Sequence, residues 1–123
     1  MPFYTGQYTY RGDDRLDITV AGQHPIGKVF APTWELVNFW QKAKKDSIKF
    51  NNPKILLDAQ DYYTKQYRLM MYDSLRNNPG AWLQVLSQPV VTFVCFCPKG
   101  GFCHRYILMD ILTELGAMYI GDR

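Results

Sequence analysis

Residues 89–97 read PVVTFVCFC. After Pro89, eight consecutive residues are β-branched, aromatic or cysteine, and none is charged. A strand that is apolar on both faces must be covered on both faces, which is the situation of a central strand in a parallel sheet. Parallel neighbours cannot be joined by tight turns and need long crossovers, usually helical. This one run therefore asks the remaining chain for helices and for partner strands.

The rest of the pattern answers that request. FYTGQYTYRG (3–12) alternates aromatic with small or polar residues and reads as an opening strand. RLDITV (15–20) reads as a second, with Leu16, Ile18 and Val20 on one face and Asp17 and Thr19 on the other. AGQHPIGK is a loop by its Gly and Pro content, and His24 within it is expected to be solvated. APTWELVNFWQKAKK (31–45) is a helix: Pro32 suits a first helical position, and Trp34, Val37 and Trp40 recur at three-residue spacing. Its lysines lie near the end where the helix dipole favours cations. Residues 46–58 are weakly patterned and read as a loop with an extended piece over Ile55–Leu57. Residues 58–78 carry a second helical period through Tyr63, Tyr67, Met70 and Ser74. Asn78-Pro79 opens a short helix over 78–88, and residues 102–116 form a last helix closed by Gly116. AMYIG (117–121) is a final strand. The expected class is a single α/β domain over 1–123, three-layered, with a mainly parallel central sheet and flanking helices.

The chain has 123 residues and a net charge of +3. That balance does not indicate nucleic-acid binding. No window reaches the length of a membrane span, and the N-terminus lacks the charged and apolar regions of a secretory signal. Three cysteines without a leader suggest a reducing, cytoplasmic setting, and an odd count leaves at least one thiol outside any internal pair. Three Trp and five Met leave enough apolar side chain for a homodimer, although no motif specifies one.

All three cysteines fall in CFCPKGGFCHR (95–105). In an open α/β sheet the segment leaving the carboxyl end of a central strand is where ligands bind. Cys95 reads as core. Cys97 ends the strand at the mouth of that crevice. Cys103 falls in the first turn of the last helix, where the dipole would favour a thiolate, with His104 and Arg105 beside it. Gly100 and Gly101 permit close backbone approach, and Lys99 and Arg105 add cationic donors for an anion. The spacing is neither the Walker loop nor G-x-G-x-x-G, and the eight positions from Cys97 to Arg105 miss the Cys-x5-Arg loop of cysteine phosphatases. Zinc on Cys95, Cys97, Cys103 and His104 is the minor alternative, because adjacent Cys103 and His104 within one helix would point about 100° apart; no other cofactor is expected.

A second polar cluster, YRGDDRLD (10–17), offers Asp13, Asp14 and Asp17 with Arg11 and Arg15. Self-paired ions in a charged turn compete there with a general base or a ribose-binding group.

FAPTWELV, YYTKQYRLMM and VTFVCFCPKGGFCHRYILMDIL resemble, in order, landmarks of the domain-of-unknown-function 488 family, over roughly residues 30–115. The resemblance implies an α/β fold. It matches Cys103, His104 and Arg105 to the family's CHR element, with Cys97 where members often place another cysteine. RGDDRLDIT is a loose counterpart of the family's D-x-R motif. The functional expectation is an enzyme on a nucleotide, nucleoside or nucleic-acid base. Cys103, His104 and Asp13 would be catalytic, and Arg105, Lys99, Gly100, Gly101, Cys97 and Arg11 would hold a small anionic ligand. The alternatives are a binding module that sequesters a phosphorylated metabolite or a partner protein, and a zinc-linked or redox role for the thiols, with a reversible Cys97–Cys103 pair.

Overall fold

A computed structural model describes residues 1–123 with the exception of Lys99. Four strands, β1 (Pro2–Gln7), β2 (Arg15–Asp17), β3 (Val91–Cys95) and β4 (Met118–Asp122), form one sheet in the order β2-β3-β1-β4. Every pairing is parallel, with Phe3 opposite Val91, Gln7 opposite Cys95 and Arg15 opposite Thr92. All five residues of β3 are buried, as its uncharged run requires. The strands are shorter than the sequence expects. Tyr8–Tyr10 turn away after β1, closed by Tyr10 N–H on Gln7 O, and Ile18–Val20 leave the sheet after β2.

Four helices, α1 (Trp34–Lys49), α2 (Pro53–Asn77), α3 (Pro79–Leu86) and α4 (His104–Glu114), supply the crossovers, with a 3-10 turn at Gly27–Phe30. Thr33 caps α1 by accepting the Leu36 N–H. The loop expected over 46–58 is instead the end of one helix and the start of the next. Asn51 breaks the run with a φ of 47°, Asn52 accepts the Lys54 N–H, and Pro53 occupies the first turn of α2. Apolar periodicity misses this because Ile48, Phe50 and Leu57 face solvent. The capping chemistry was present in Asn-Asn-Pro, but the burial was not. Gly116 ends α4 at a φ of 96°, the left-handed position that favours glycine after a helix.

The connections β2-to-β3 and β3-to-β4 advance across the sheet in one direction, and right-handed crossovers therefore place their helices on one face. There Phe3 and Phe93 meet Tyr67, Trp82, Leu108 and Ile111 in a single core. The β1–β2 connection runs back over β3 and forms the third layer, on the opposite face. Thr92 and Tyr10 donate to the Asp14 carboxylate, Arg123 Nε donates to Thr92 Oγ1 at 3.0 Å, and the Arg123 guanidinium lies 3.8 Å from the centre of the Tyr4 ring. The three-layer α/β class read from the sequence is the observed one.

Burial raises the Asp14 carboxyl, but the bonds from Thr92 and Tyr10 outweigh it and hold Asp14 below its ordinary value. A carboxyl lowered by folding contributes stability above its unfolded value near 3.9 and loses it as the pH falls through the folded one. Asp14→Asn is expected to cost about 1 kcal/mol at pH 7, with the difference from wild type shrinking below about pH 4. Urea unfolding across pH checks this, and a pH-independent difference would refute it.

Candidate functional site

The carboxyl ends of β2 and β3 and the first residue of α4 meet at one point. Cys95 is the last residue of β3, on the Phe93 face, toward the helices. Cys103 precedes α4 with φ −159° and ψ 148°, so it is an extended cap residue and not part of the first turn. The expected place in the first turn is thus shifted by one residue, to the cap position at the same positive end of the helix dipole. The extended backbone turns its side chain back beneath the strand end. As a result Cys95 Sγ and Cys103 Sγ each lie 3.7 Å from His104 Nδ1, and Cys95 Sγ lies 3.8 Å from Cys97 Sγ.

His104 is buried, and its Nε2–H donates to Ile18 O at 2.8 Å. That bond fixes the tautomer and leaves the Nδ1 lone pair facing the sulfurs. Burial lowers His104 to about 4, so the ring is neutral near pH 7. Tyr67 packs edge-on against it at 5.5 Å and donates to Phe30 O at 2.6 Å.

The thiols are unequal. Cys95 and Cys103 are buried, and Cys97 is half-buried. Hydrogen bonds from Cys103 and Cys95 stabilise an anion on Cys97, against the opposing effect of burial, and the Arg105 charge adds to this; Cys97 is shifted down. Cys103 is shifted up by the bonds it gives to Cys95 and Cys97 and by its own burial. The low-lying thiol is therefore Cys97, where the sequence pointed to Cys103.

Arg105 is 1% exposed. Its Nη1 donates to Cys95 O and Cys97 O, and its Nη2 donates to Pro98 O and the Tyr106 hydroxyl. The guanidinium braces the carbonyls that leave the sheet, and its Nε has no partner. Gly100 N–H donates to the Tyr106 hydroxyl. These donors, expected to face an anion, face the protein. Lys99 lies outside the described residues.

Above the sulfurs is a cavity of about 100 Å³, walled mainly by Trp40, Tyr63, Phe96 and Phe102, with Cys97 and His104 among its lining residues. Trp40 and Phe102 pack at 4.5 Å between ring centres. The three-residue spacing in α1 assigns Trp40 to the core, so its place on this wall and the role of the Ile18 carbonyl escape a sequence reading. Tyr63 lines the wall as well as packing α2. A larger groove of about 470 Å³ between α1 and α2 has Lys42, Asp46 and Asp58 at its edge, but no thiol or imidazole.

The N-terminal acidic cluster is not part of this centre. Asp13 borders a concavity with Val90 and Val91, at the amino end of β3 and four residues, or about 13 Å, from Cys95. Arg11 is exposed and donates to Tyr8 O. Asp17 accepts from the Thr19 N–H and hydroxyl. Asp13 thus lies at the opposite edge of the sheet from the cysteines, whereas Arg11 stays near the carboxyl edge, bonded to Tyr8, whose ring stacks on Phe96 at 4.1 Å. His24 Nδ1 accepts from Ile26 and Gly27 N–H and shapes its own loop.

Cys95, Cys103 and His104 place three ligand atoms within 4.8 Å of one another, all on buried residues, so the cluster could hold a metal ion. Among the described residues no helix is long and apolar enough to cross a membrane.

Two outcomes follow from burial and bonding. Iodoacetamide should modify Cys97 at least about ten-fold faster than Cys95 or Cys103; peptide mass spectrometry reads the order, and faster modification of Cys103 would contradict it. Arg105→Met should lower stability by about 3 kcal/mol or more by leaving three strand-end carbonyls short of donors, and an unchanged unfolding midpoint would refute the brace.

In comparison with known proteins, a family model described as the active DUF488-N3 subclade (DUF488-N3a) matches residues 24–116. The match includes the cysteines, His104 and Arg105 and leaves out the Asp13–Asp17 cluster. No curated protein and no solved structure matches the chain.

Proposed function

The chain belongs to the DUF488 family, and we propose that it is an enzyme acting on a nucleotide, nucleoside or nucleic-acid base. One observation carries the reading: three thiols and a neutral imidazole gather at the floor of a small cavity whose walls are aromatic. Flat aromatic walls favour a planar ring through stacking, largely regardless of which ring it is. A volume of about 100 Å³ suits a single ring better than a fused pair. The description of the matching subclade as active accords with turnover.

All three thiols line the cavity, and Cys97 is the most exposed of them and the one shifted toward the thiolate. In addition chemistry, the Cys97 thiolate bonds a ring carbon, the C=N electron pair moves to the ring nitrogen, and that nitrogen takes a proton from solvent. His104, held by Ile18, fixes the floor of the cavity beside the sulfurs. A ribose or phosphate tail would extend from the ring out of the cavity. With Arg105 and the Gly100 N–H already engaged, the ring supplies more of the binding than the tail does.

Thermal shift against free bases, nucleosides and nucleotides tests the cavity, and mass spectrometry of the same mixtures tests turnover. Base-containing ligands are expected to raise Tm, and Cys97→Ser to bind them while losing turnover by about a hundred-fold or more. Stabilisation with no product formed would leave a binding module and overturn the enzyme. No response from any base-containing ligand would overturn the substrate class.

A further inference from the structure

We propose that Cys95 Sγ, Cys103 Sγ and His104 Nδ1 are the ligands of a Zn²⁺ ion whose fourth coordination position opens beside Cys97 into the aromatic cavity. The proposal deepens the enzymatic reading by naming the cofactor of the same cavity, and it rests on that reading only for the use of the fourth position.

The distances carry the argument. Zinc takes thiolate sulfur at about 2.3 Å and imidazole nitrogen at about 2.0–2.1 Å in a tetrahedral array. Those bond lengths separate sulfur from nitrogen by about 3.6 Å and two sulfurs by about 3.8 Å. Both sulfur-to-Nδ1 separations are 3.7 Å, and all three atoms lie within 4.8 Å of one another. An ion enters with the two sulfurs closing by about 1 Å at most.

The second observation is the state of His104. The residue is 4% exposed. Nε2–H is held by a backbone carbonyl at 2.8 Å, the outer partner that metal-bound histidines ordinarily have. Nδ1, the opposite atom, has the two sulfurs as its partners, each at 3.7 Å, weak S–H···N bonds that a metal ion would replace. A metal ion satisfies that lone pair and both sulfurs together.

Charge balance agrees with burial. Binding breaks two S–H bonds and forms two Zn–S bonds, and the two protons pass to solvent. Two thiolates, one neutral imidazole and Zn²⁺ sum to zero, so the filled centre brings no net charge into the core. Soft sulfur with imidazole selects zinc over magnesium or calcium. The sequence-level objection to zinc assumed that Cys103 and His104 share helical geometry. The extended backbone of Cys103 removes it.

Cys97 sets the fourth position. Its sulfur is 3.8 Å from Cys95 Sγ, yet it is not one of the three mutually close ligands. Three protein ligands with an open fourth place are the pattern of catalytic zinc, which takes water or substrate there.

The full-length protein, purified without a histidine tag, is expected to carry one zinc per chain by elemental analysis. After chelation, added Co²⁺ should give the near-ultraviolet thiolate-to-cobalt band and the intense visible bands of a tetrahedral site. Cys103→Ser and His104→Ala should each weaken zinc binding by about a hundred-fold or more, and Cys97→Ser by less than about ten-fold. If those variants fail to fold, the wild-type cobalt spectrum still decides. Folded, reduced wild-type protein with only trace metal and no thiolate-to-cobalt band would overturn the proposal. Loss of metal in Cys97→Ser would overturn the open fourth position. Turnover of a base substrate by metal-free protein would sink the zinc proposal and leave the enzyme standing; zinc binding without any response to bases would do the reverse.

Discussion

A guanidinium with almost no contact with water holds the end of β3 in place. Strand carbonyls that leave a sheet lose their ladder partners, and buried carbonyls need donors. Arg105 supplies them to Cys95, Cys97 and Pro98 from the first turn of α4. The strand end, the turn and the helix start become one rigid unit, and the positions of all three cysteines follow from it. His104, one residue earlier, bonds to Ile18 beyond β2. Two consecutive residues of one helix thus tie down the ends of two neighbouring strands.

This bracing explains why the chemistry gathers on one side of the sheet. Right-handed crossovers put every described helix on one face, so the carboxyl end of β3 opens beneath α1 and α2, while Phe96 at its rim stacks on Tyr8 of the β1–β2 connection. Trp40 and Tyr63 come from those helices and Phe102 from the turn, and together they roof the sulfurs. The opposite face is closed by Asp14, Tyr10 and Arg123 around Thr92. That cluster is polar but internally paired, and its charges serve the third layer.

Much of the architecture was legible in the chain. The uncharged run after Pro89 required a covered central strand, Asn78-Pro79 opened α3, and Gly116 closed α4. The candidate site was legible as a location, because a strand, a glycine turn and a helix start in sequence mark a ligand-binding crevice. It was less legible as an arrangement. Helix starts are uncertain by a residue or two from sequence, and here that margin moves Cys103 from a helical to an extended conformation. The side chain then turns from the helix axis toward Cys95. The start of α2 was hidden for another reason: its first turns bury little, so periodicity had nothing to register although the caps were present.

The sequence by itself determined the α/β class, the family, and the place where thiols, imidazole and guanidinium would converge, because those depend on local pattern and on order along the chain. Only the tertiary structure decided what each group faces. Asp13 and Cys103 look equally available in the sequence, but a parallel sheet carries one to its amino edge and the other to its carboxyl edge. Arg105 looks like an anion ligand until the carbonyls it must satisfy are in view. Which partners a polar side chain meets is set by segments far apart in the chain, here Ile18 with His104 and Asp14 with Thr92, and no local pattern encodes that meeting.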